Sequence, residues 1–436
     1  MSETKPHHST ATDSSEPPIQ VCFVALDAYP AIDSRVEGGI GGIETRSWML
    51  ARSLAQSDAF DVSFIIRHHE AVSQTEYEGV TLLPVIDRHY QLRTDLSRNV
   101  RRTSHFPFLS IRHFSCRMLW QLPLLAVNQL TRPRTHSRDL RPLDIYTTVD
   151  TDLLACFGVN AVSASVIASA KASGKKSVLF IASDIDLDER YTADSEDLNL
   201  YHTPAKTCHF AVTNADRVVV QTSKQLELLE RNFGRSGEIL ENPIDLKEWD
   251  ERFETSPVPA EIGSLTDYVL WVGRAERNQK QPQLMPELAC MCPETPFLMI
   301  MNSSDEELER QVRAEAPSNL RIVDKIPFAQ MPALYRNASL LVNTSSSEGF
   351  PNTFLQAAAS GVPIASLSVG EEFLHASHSG TTAEGSLEQL GEFVRQLPET
   401  PDDVNIPQAR AYVEEHHSLD SRVDKLIQIL RQCVGN

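Results

Sequence analysis

Two cationic side chains, Arg274 and Lys280, follow an apolar run in the second half of the chain with the spacing R-x5-K. The run YVLWVG at 268–273 has the character of a buried parallel strand, so both cations lie just past the carboxyl end of that strand. Fixed positive charges at this position can bind a diphosphate and stabilise it as it leaves. We therefore predict anion chemistry here that needs no metal ion and no cofactor.

A glycine-rich loop, EGGIGGIE at 37–44, follows the first apolar run and opens a helical stretch. Gly39, Gly41 and Gly42 would let the backbone approach a diphosphate and direct amide groups at it. A dinucleotide-binding fold would have G-x-G-x-x-G, but Glu44 stands at the third glycine position, which disfavours a nicotinamide or flavin enzyme. The structural alternative is a loop that serves only as a tight turn.

The segment SSSEGFPNTFLQAAASGVPIASL at 345–367 carries the strongest functional signal. It predicts a loop that leads into a short helix, and the first helical amides, near Asn352 and Thr353, suit a phosphate. Glu348 can accept hydrogen bonds from sugar hydroxyls, and Gln356, eight positions on, can bind a ribose diol. The alternative, a capped connecting helix, does not explain an acidic residue in so apolar a unit.

Apolar runs that alternate with helical stretches must position these residues. In the first half, the predicted strands are at 21–26, 62–66, 80–85, 145–149, 177–182 and 217–221. In the second half, they are at 268–273, 297–302, 320–325, 339–345 and 363–368. The alternation predicts an α/β protein with two doubly wound, Rossmann-like domains. Ligands bind such sheets at the carboxyl ends of the strands, so the motifs would face a cleft between the domains.

Composition changes along the chain predict the domain boundaries. We expect a disordered tail at 1–19, a first domain at 20–250, a linker at 251–266, a second domain at 267–418 and a closing helix at 419–436. The tail lacks the apolar stretch of a secretory signal, and the linker is polar with two prolines.

At these residues the chain resembles the retaining glycosyltransferases of the GT-B fold, of the group 1 or family 4-like kind. The resemblance runs from about Val21 to the end, and it is specific in the second domain, where VGR with R-x5-K precedes EGFPNTFLQ. It implies that Arg274 and Lys280 bind the diphosphate of a nucleotide-sugar donor and that Glu348 holds the transferred sugar. The donor-binding residues that it implies are Gly39, Gly41, Gly42, Arg274, Lys280, Glu348, Gly349, Phe350, Pro351, Asn352, Thr353 and Gln356.

Two positions depart from the pattern of that family. Its motif usually ends in a second glutamate where this chain has Gln356, and an amide binds ribose hydroxyls more weakly than a carboxylate does. A histidine commonly follows the strand matched by SVLFIA, near the acceptor, whereas this chain has Ser183 and Asp184. Asp184 or Asp186 would orient or deprotonate an acceptor hydroxyl, or would only cap the next helix.

The resemblance implies transfer of a sugar from a UDP- or GDP-sugar to an acceptor that the sequence does not identify, with no metal ion and no cofactor. Two other functions stay open. A sugar-nucleotide epimerase of the same fold would turn over the donor without an acceptor, and a non-catalytic sensor would bind the donor and release no nucleotide.

Charge and cysteine usage restrict the partners and the compartment. A formal net charge of −19 over 436 residues argues against general nucleic-acid binding, because a phosphate backbone would repel most of the surface. The seven cysteines have neither the spacing nor the partners of a zinc site and indicate a reduced, cytoplasmic protein.

One segment, 88–141, has the opposite charge to the rest of the chain. It contains eleven arginines, no lysine and two aspartates, a local net charge of +9, with phenylalanine, tryptophan and leucine interleaved. We predict an anionic membrane surface or a lipid-linked acceptor as its partner, and hence a peripheral location at the inner membrane surface. The membrane-binding residues predicted are Arg98, Arg101, Arg102, Arg112, Arg117 and Trp120. The alternative is an insertion packed on an acidic surface of the same domain.

Overall fold

The computed structural model describes residues 17–33, 35–36, 41–87, 99–102, 109–111, 114, 116–121, 123–124, 140–199, 202–397 and 404–435. The two predicted sheets are present, each built from strands of the predicted half of the chain. Both are mainly parallel and carry helices, which is the α/β class expected from the alternation of apolar runs and helical stretches.

The first sheet has eight strands in the spatial order β10-β9-β8-β7-β1-β2-β4-β3. Their bounds are β1 Ile19–Val24, β2 Phe60–His68, β3 Glu76–Tyr77, β4 Val80–Ile86, β7 Leu153–Phe157, β8 Lys176–Phe180, β9 Arg217–Val220 and β10 Glu238–Ile239. Only the short edge strand β3 pairs in the antiparallel sense. Two further strands, β5 Val100–Arg102 and β6 Leu109–Ile111, form a separate antiparallel pair.

The helices of this half cover both faces of the sheet. They are α1 Tyr29–Ile32, α2 Gly42–Leu54, α3 Asp144–Thr147, α4 Ala161–Ser173, α5 Ala205–Asn214 and α6 Ser223–Phe233. Phe23 and Phe64 of adjacent strands lie in one apolar cluster with Trp48 of α2, and Cys22 lies in a second cluster on the opposite face. Because successive side chains of a strand point to opposite faces, β1 contributes to two cores.

One predicted strand of the first half is wrong. Residues 145–149 belong mostly to the short helix α3, in which the Thr148 hydroxyl donates a 2.7 Å hydrogen bond to the Asp144 carbonyl and Tyr146 is buried. The strand at this place in the sheet is β7, which pairs with β1 on one side and β8 on the other. Pairing on both sides with every residue buried favours the apolar run LLACF over the polar IYTTV.

The second sheet has six parallel strands in the order β13-β12-β11-β14-β15-β16. Their bounds are β11 Tyr268–Arg274, β12 Phe297–Asn302, β13 Leu320–Val323, β14 Ala338–Asn343, β15 Ile364–Ser366 and β16 Gly380–Thr382. Its helices are α7 Leu246–Thr255, α8 Leu284–Met291, α9 Glu306–Glu315, α10 Met331–Arg336, α11 Asn352–Ala359, α12 Glu371–Ser377, α13 Leu387–Arg395 and α14 Ile406–His417. The central strand β11 places Arg274 at its carboxyl end.

The predicted linker at 251–266 differs from the structure. Its first residues complete α7, whose Trp249 is buried in the core of the second sheet together with Ile244 and Ile262. The second domain therefore begins near Ile244, because an amphipathic helix with a buried tryptophan belongs to the core that covers it.

The chain crosses between the domains twice, and the two crossings are bonded to each other. The Ile244 amide donates to the His417 carbonyl at 2.8 Å, and the Leu419 amide donates to the Ile244 carbonyl at 3.0 Å. The last helix, α15 Leu419–Val434, then packs on the first domain, where Leu426 and Leu430 join its core. The predicted closing helix thus returns the end of the chain to the first sheet.

Candidate active site

The loop after β11 carries Lys280 and is held in place by its own glutamate. Glu276 accepts hydrogen bonds from the amides of Asn278 at 3.1 Å and Lys280 at 3.2 Å. The Thr344 hydroxyl, at the end of β14, donates to the Lys280 carbonyl at 2.8 Å. The backbone that carries the lysine is therefore fixed at both sides before any ligand binds.

Lys280 and Glu348 form an ion pair at the carboxyl ends of β11 and β14. The lysine ammonium contacts Glu348 Oε1, and the Ser345 hydroxyl donates to the same oxygen at 2.7 Å. The Glu348 side chain is 10% exposed and that of Lys280 is 20% exposed, so the pair is largely enclosed. The structure thus brings together two residues that stand 68 positions apart in the sequence.

Arg274 has a different environment from Lys280. It is exposed, and within the described part of the chain its guanidinium makes no hydrogen bond or ion pair. Across the cleft, Arg274 opposes the rise in the pKa of Glu44 that burial causes. Because Glu44 lies in the first turn of α2, Arg274 is close enough to that turn for the two charges to interact.

The glycine loop leads directly into α2. Gly41 caps the helix, and its amide donates to Glu44 Oε2 at 2.9 Å. A Cβ atom at Gly41 would lie 2.6 Å from that oxygen, so a larger residue would displace the Glu44 carboxylate from this hydrogen bond. Gly42 lies near Asn352 of the second domain, since a Cβ atom at Gly42 would be 3.7 Å from the Asn352 side-chain nitrogen. Gly39 lies outside the described residues.

Helix α11 begins at Asn352, as the sequence predicts, and Pro351 precedes it without a side-chain cap. The Asn352 side chain accepts a 2.8 Å hydrogen bond from Asn242, which lies at the first crossing between the domains. The Phe350 ring stacks on His417 with a centroid separation of 5.3 Å, at the second crossing. Phe350 and Asn352, just before and at the start of α11, therefore contact the two crossings between the domains, and the helix amino terminus is left available to an anion.

The start of α2 and the start of α11 line a cavity of about 250 Å³ between the two domains, whereas Arg274, Lys280 and Glu348 are not among its lining residues. Its walls include Gly41 and Gly42 from the first domain and Asn352, Thr353 and Gln356 from the second. Gln356 Oε1 accepts a 2.9 Å hydrogen bond from the buried Tyr335 hydroxyl, which orients the amide. The glutamine that replaces the second family glutamate is thus a fixed part of the wall.

Gly349 lies at a close approach between the two domains. A Cβ atom at this position would lie 2.4 Å from the Ala182 carbonyl oxygen and 3.0 Å from the Ser183 Cα atom. Both are backbone atoms that follow β8, so any larger residue at 349 would push the domains apart. The loop that carries Glu348 therefore touches the segment in which the sequence analysis placed the acceptor-side candidates.

The two acceptor-side aspartates have partners of their own. Asp186 accepts hydrogen bonds from the amides of Ala182 at 2.8 Å and Ser183 at 3.2 Å, and burial raises its pKa. Asp184 forms a 2.7 Å ion pair with Lys224 and accepts a 3.1 Å hydrogen bond from Gln225. These contacts give Asp186 the capping role that was the alternative prediction, and they bind Asp184 to helix α6 instead of to the cleft.

Two residues of the site escaped the sequence analysis. Glu276 shapes the Lys280 loop through its hydrogen bonds to backbone amides. The sequence feature that could have indicated it is an acidic residue placed between the two cations Arg274 and Lys280. Asn242 donates a hydrogen bond to Asn352, 110 positions further along the chain, and no local sequence pattern predicts a contact between residues so far apart.

The basic segment is described only in part. Arg98 and Arg112 lie outside the described residues, and Arg101 and Arg102 lie in β5. Arg117 is exposed, and Trp120 is 56% exposed. Among the described residues, no helix is both long and apolar enough to cross a bilayer, and no group of three or more potential ligands could hold a metal ion.

Comparisons with known proteins identify relatives of the second domain and of the whole fold. Residues 266–399 match the family model of glycosyl transferases group 1. No curated protein sequence matches the chain.

Three solved structures are similar over nearly the whole chain. A sucrose-phosphate synthase from Thermosynechococcus elongatus has a TM-score of 0.63 at 15% identity and covers 95% of this chain and 98% of its own. An E. coli structure described as trehalose-6-phosphate bound with UDP-2-fluoro glucose has a TM-score of 0.63 at 11% identity, covering 95% and 99%. The lipopolysaccharide outer core galactosyltransferase WaaB has a TM-score of 0.55 at 14% identity, covering 94% and 99%.

At these identities the structural likeness defines the fold, which is GT-B: two Rossmann-like domains that face a cleft. The residues that match the glycosyl transferases group 1 model, 266–399, lie in the second domain.

Proposed function

We propose that this chain is a metal-independent, retaining glycosyltransferase that moves a hexosyl group from a UDP- or GDP-sugar to a glycan or lipid-linked acceptor. The observation that carries the proposal is that the Lys280–Glu348 pair, Arg274 and the uncapped start of α11 all lie at the boundary between the two domains. Three groups that bind anions and one carboxylate that binds hydroxyls match a sugar joined to a diphosphate.

The diphosphate would lie between Arg274, Lys280 and the first amides of α11. As the bond from the anomeric carbon to the phosphate oxygen breaks, negative charge develops on the leaving diphosphate, and the two cations stabilise it. The acceptor hydroxyl forms the new bond on the face that the diphosphate leaves, and its proton passes to the diphosphate. No residue of the first domain is then required as a base, which agrees with the contacts of Asp184 and Asp186.

Glu348 would bind hydroxyls of the transferred sugar, and Lys280 would exchange part of its bond with Glu348 for a phosphate oxygen. Gln356 would bind the ribose, held in position by Tyr335. The cavity of about 250 Å³ is near the lower end of ligand pockets, roughly 300–1,000 Å³, and suits the nucleoside part of the donor.

The similar structures, the cysteines and the basic segment support a class of acceptor and a location. Two of the similar structures are named for a sugar-phosphate synthase and a lipopolysaccharide galactosyltransferase, which favours a carbohydrate acceptor. All seven cysteines are unpaired, as expected in a reducing compartment. With the basic segment 88–141, this favours a cytoplasmic enzyme of glycan biosynthesis, bound peripherally to the inner membrane surface.

A thermal-shift screen of UDP-, GDP- and ADP-sugars, with and without chelator, tests the donor site. A ligand that binds only the native state raises its melting temperature by mass action. We expect stabilisation by one nucleotide class, unchanged in chelator, and nucleotide release only when an acceptor extract is added. Stabilisation or release that needs magnesium or manganese would contradict metal independence, and donor turnover without acceptor would indicate an epimerase.

A further inference from the structure

Large exposed apolar side chains are concentrated in one short stretch of the basic segment. Ten such side chains are exposed in the described chain, and five of them lie within 111–124. They are Ile111 at 52%, Phe114 at 67%, Leu119 at 69%, Trp120 at 56% and Leu124 at 43% exposure. Single exposed apolar residues are ordinary, but a group of this kind marks a surface that binds a partner.

The backbone of this stretch is held by its own buried residues. Residues 118–121 form a helical turn in which the Gln121 amide donates to the Arg117 carbonyl at 3.1 Å. Met118 is 1% exposed and Gln121 is 3% exposed, so the turn is anchored at both ends. Leu119 and Trp120, between the anchors, are therefore presented outward from a fixed turn.

From this placement we infer that the turn at 118–121 is a membrane-insertion element, with Leu119 and Trp120 as the side chains that enter an anionic bilayer. The inference rests on the proposed membrane location and not on the donor chemistry. Tryptophan suits the boundary between headgroups and acyl chains, because its ring is apolar and its N–H remains hydrogen-bonded.

Charge decides between a bilayer and a second copy of the chain. The segment 88–141 carries +9, whereas the remaining residues carry −28. Two copies that met through this segment would bring two net positive charges together, which is unfavourable. An anionic bilayer attracts the segment and repels the rest of the protein, so it both binds the surface and orients the cleft relative to the membrane.

Tryptophan fluorescence gives a specific test, because only one of the four tryptophans is exposed. Trp48 is 6% exposed, Trp249 is 4% exposed and Trp271 is 2% exposed, against 56% for Trp120. With vesicles that contain phosphatidylglycerol, we expect a blue shift of the emission and quenching by brominated lipid. Vesicles of phosphatidylcholine alone should give neither signal, and high salt should remove both.

Co-sedimentation of variants supplies the second measurement. We expect Leu119→Ser and Trp120→Ser each to lower vesicle binding by about tenfold, since each removes a large apolar group that would enter the bilayer. The matched control is Leu198→Ser, which shortens a leucine that is 55% exposed elsewhere in the first domain. It should bind as the native protein does.

Three results would overturn the inference. The first is equal recovery of the protein in the supernatant with anionic and neutral vesicles at low salt. The second is a loss of vesicle binding in Leu198→Ser as large as that in Leu119→Ser or Trp120→Ser. The third is a concentration-dependent dimer that Trp120→Ser abolishes. The rise in melting temperature with nucleotide-sugar, measured on the same preparation, tests the donor site independently of vesicle binding. A protein that binds the donor but not vesicles refutes only membrane insertion.

Discussion

The two domains each contain a carboxylate–lysine pair beside the interdomain contact, and the two pairs differ in their surroundings. In the second domain, Glu348 is 10% exposed and Lys280 is 20% exposed, and a serine hydroxyl completes the pair. In the first domain, Asp184 is 18% exposed, but its partner Lys224 is 69% exposed. The same two functional groups are enclosed at the cleft in one case and lie at the surface in the other.

The difference in exposure leads us to expect different roles for the two pairs in the proposed reaction. An enclosed cation interacts strongly with a developing charge because little water competes with it. A surface ion pair contributes about 0–1 kcal/mol to stability and is screened by salt. We therefore expect the Lys280–Glu348 pair, on the side of the predicted donor, to determine turnover. We expect the Lys224–Asp184 pair, on the side of the predicted acceptor, to hold Asp184 against helix α6.

The largest expected effect comes from removing the enclosed cation. Lys280→Ala should lower kcat by about 10²–10³, because one preorganised charge that stabilises the transition state is lost. The matched control is Lys224→Ala in the surface pair, which should retain native turnover. Equal activity of the two variants in a nucleotide-release assay would remove the distinction between the pairs.

A steric change tests the contact between the two regions directly. Gly349→Ala places a Cβ atom against backbone atoms of Ala182 and Ser183, so the Glu348 loop must shift. A displacement of this size can lower kcat by about 10². Ser347→Ala, which shortens a side chain in the same loop, is the control. Native kinetics in Gly349→Ala would show that the close approach is not needed for turnover.

The exposed cation of the donor side should matter less than Lys280. Arg274→Ala should lower kcat/KM by at least about tenfold, since one charge-assisted contact contributes roughly 1.5–3 kcal/mol. Arg277→Ala is the matched control, because this arginine of the same loop is bonded to Gln311 on the surface. Near-normal turnover in Arg274→Ala would exclude it from the diphosphate site.

Gln356 should affect donor binding more than the chemical step. Gln356→Ala should raise the donor KM about fivefold, the value of one hydrogen bond of about 1 kcal/mol, with a smaller change in kcat. Tyr335→Phe keeps the amide and removes only the bond that orients it, so its effect should be weaker. If Gln356→Glu created activity that the native protein lacks, the chain would be a sugar-nucleotide sensor.

The smallest effect is expected at the acceptor-side pair. Asp184→Asn should leave kcat within about twofold, because it weakens a surface ion pair and leaves an oxygen that can accept from Gln225. Turnover across a series of acceptor concentrations is the measurement. A loss above tenfold, with an unchanged melting temperature, would restore a catalytic role for Asp184.

The sequence by itself determined the class of fold and most of the donor side. Strands such as YVLWVG at 268–273 were predicted closely because a buried parallel strand needs a continuous apolar run, which is a local property. The start of α11 at Asn352 was predicted for a similar reason, since a proline precedes it and apolar residues follow at helical spacing. Arg274, Lys280 and Glu348 could be selected because their position after a strand already specifies the edge of the sheet.

Only the tertiary structure decided the remaining features. IYTTV was predicted to be a strand, but sheet pairing on both sides favoured the more apolar LLACF. The partners of Asp184, which are Lys224 and Gln225, could not be predicted from the sequence. Gly349 and Asn242 owe their roles to residues of the other domain. Strands and helices can be predicted from the sequence because they depend on local propensity and burial. Contacts between the two domains depend on how the two sheets pack against each other, which no local pattern specifies.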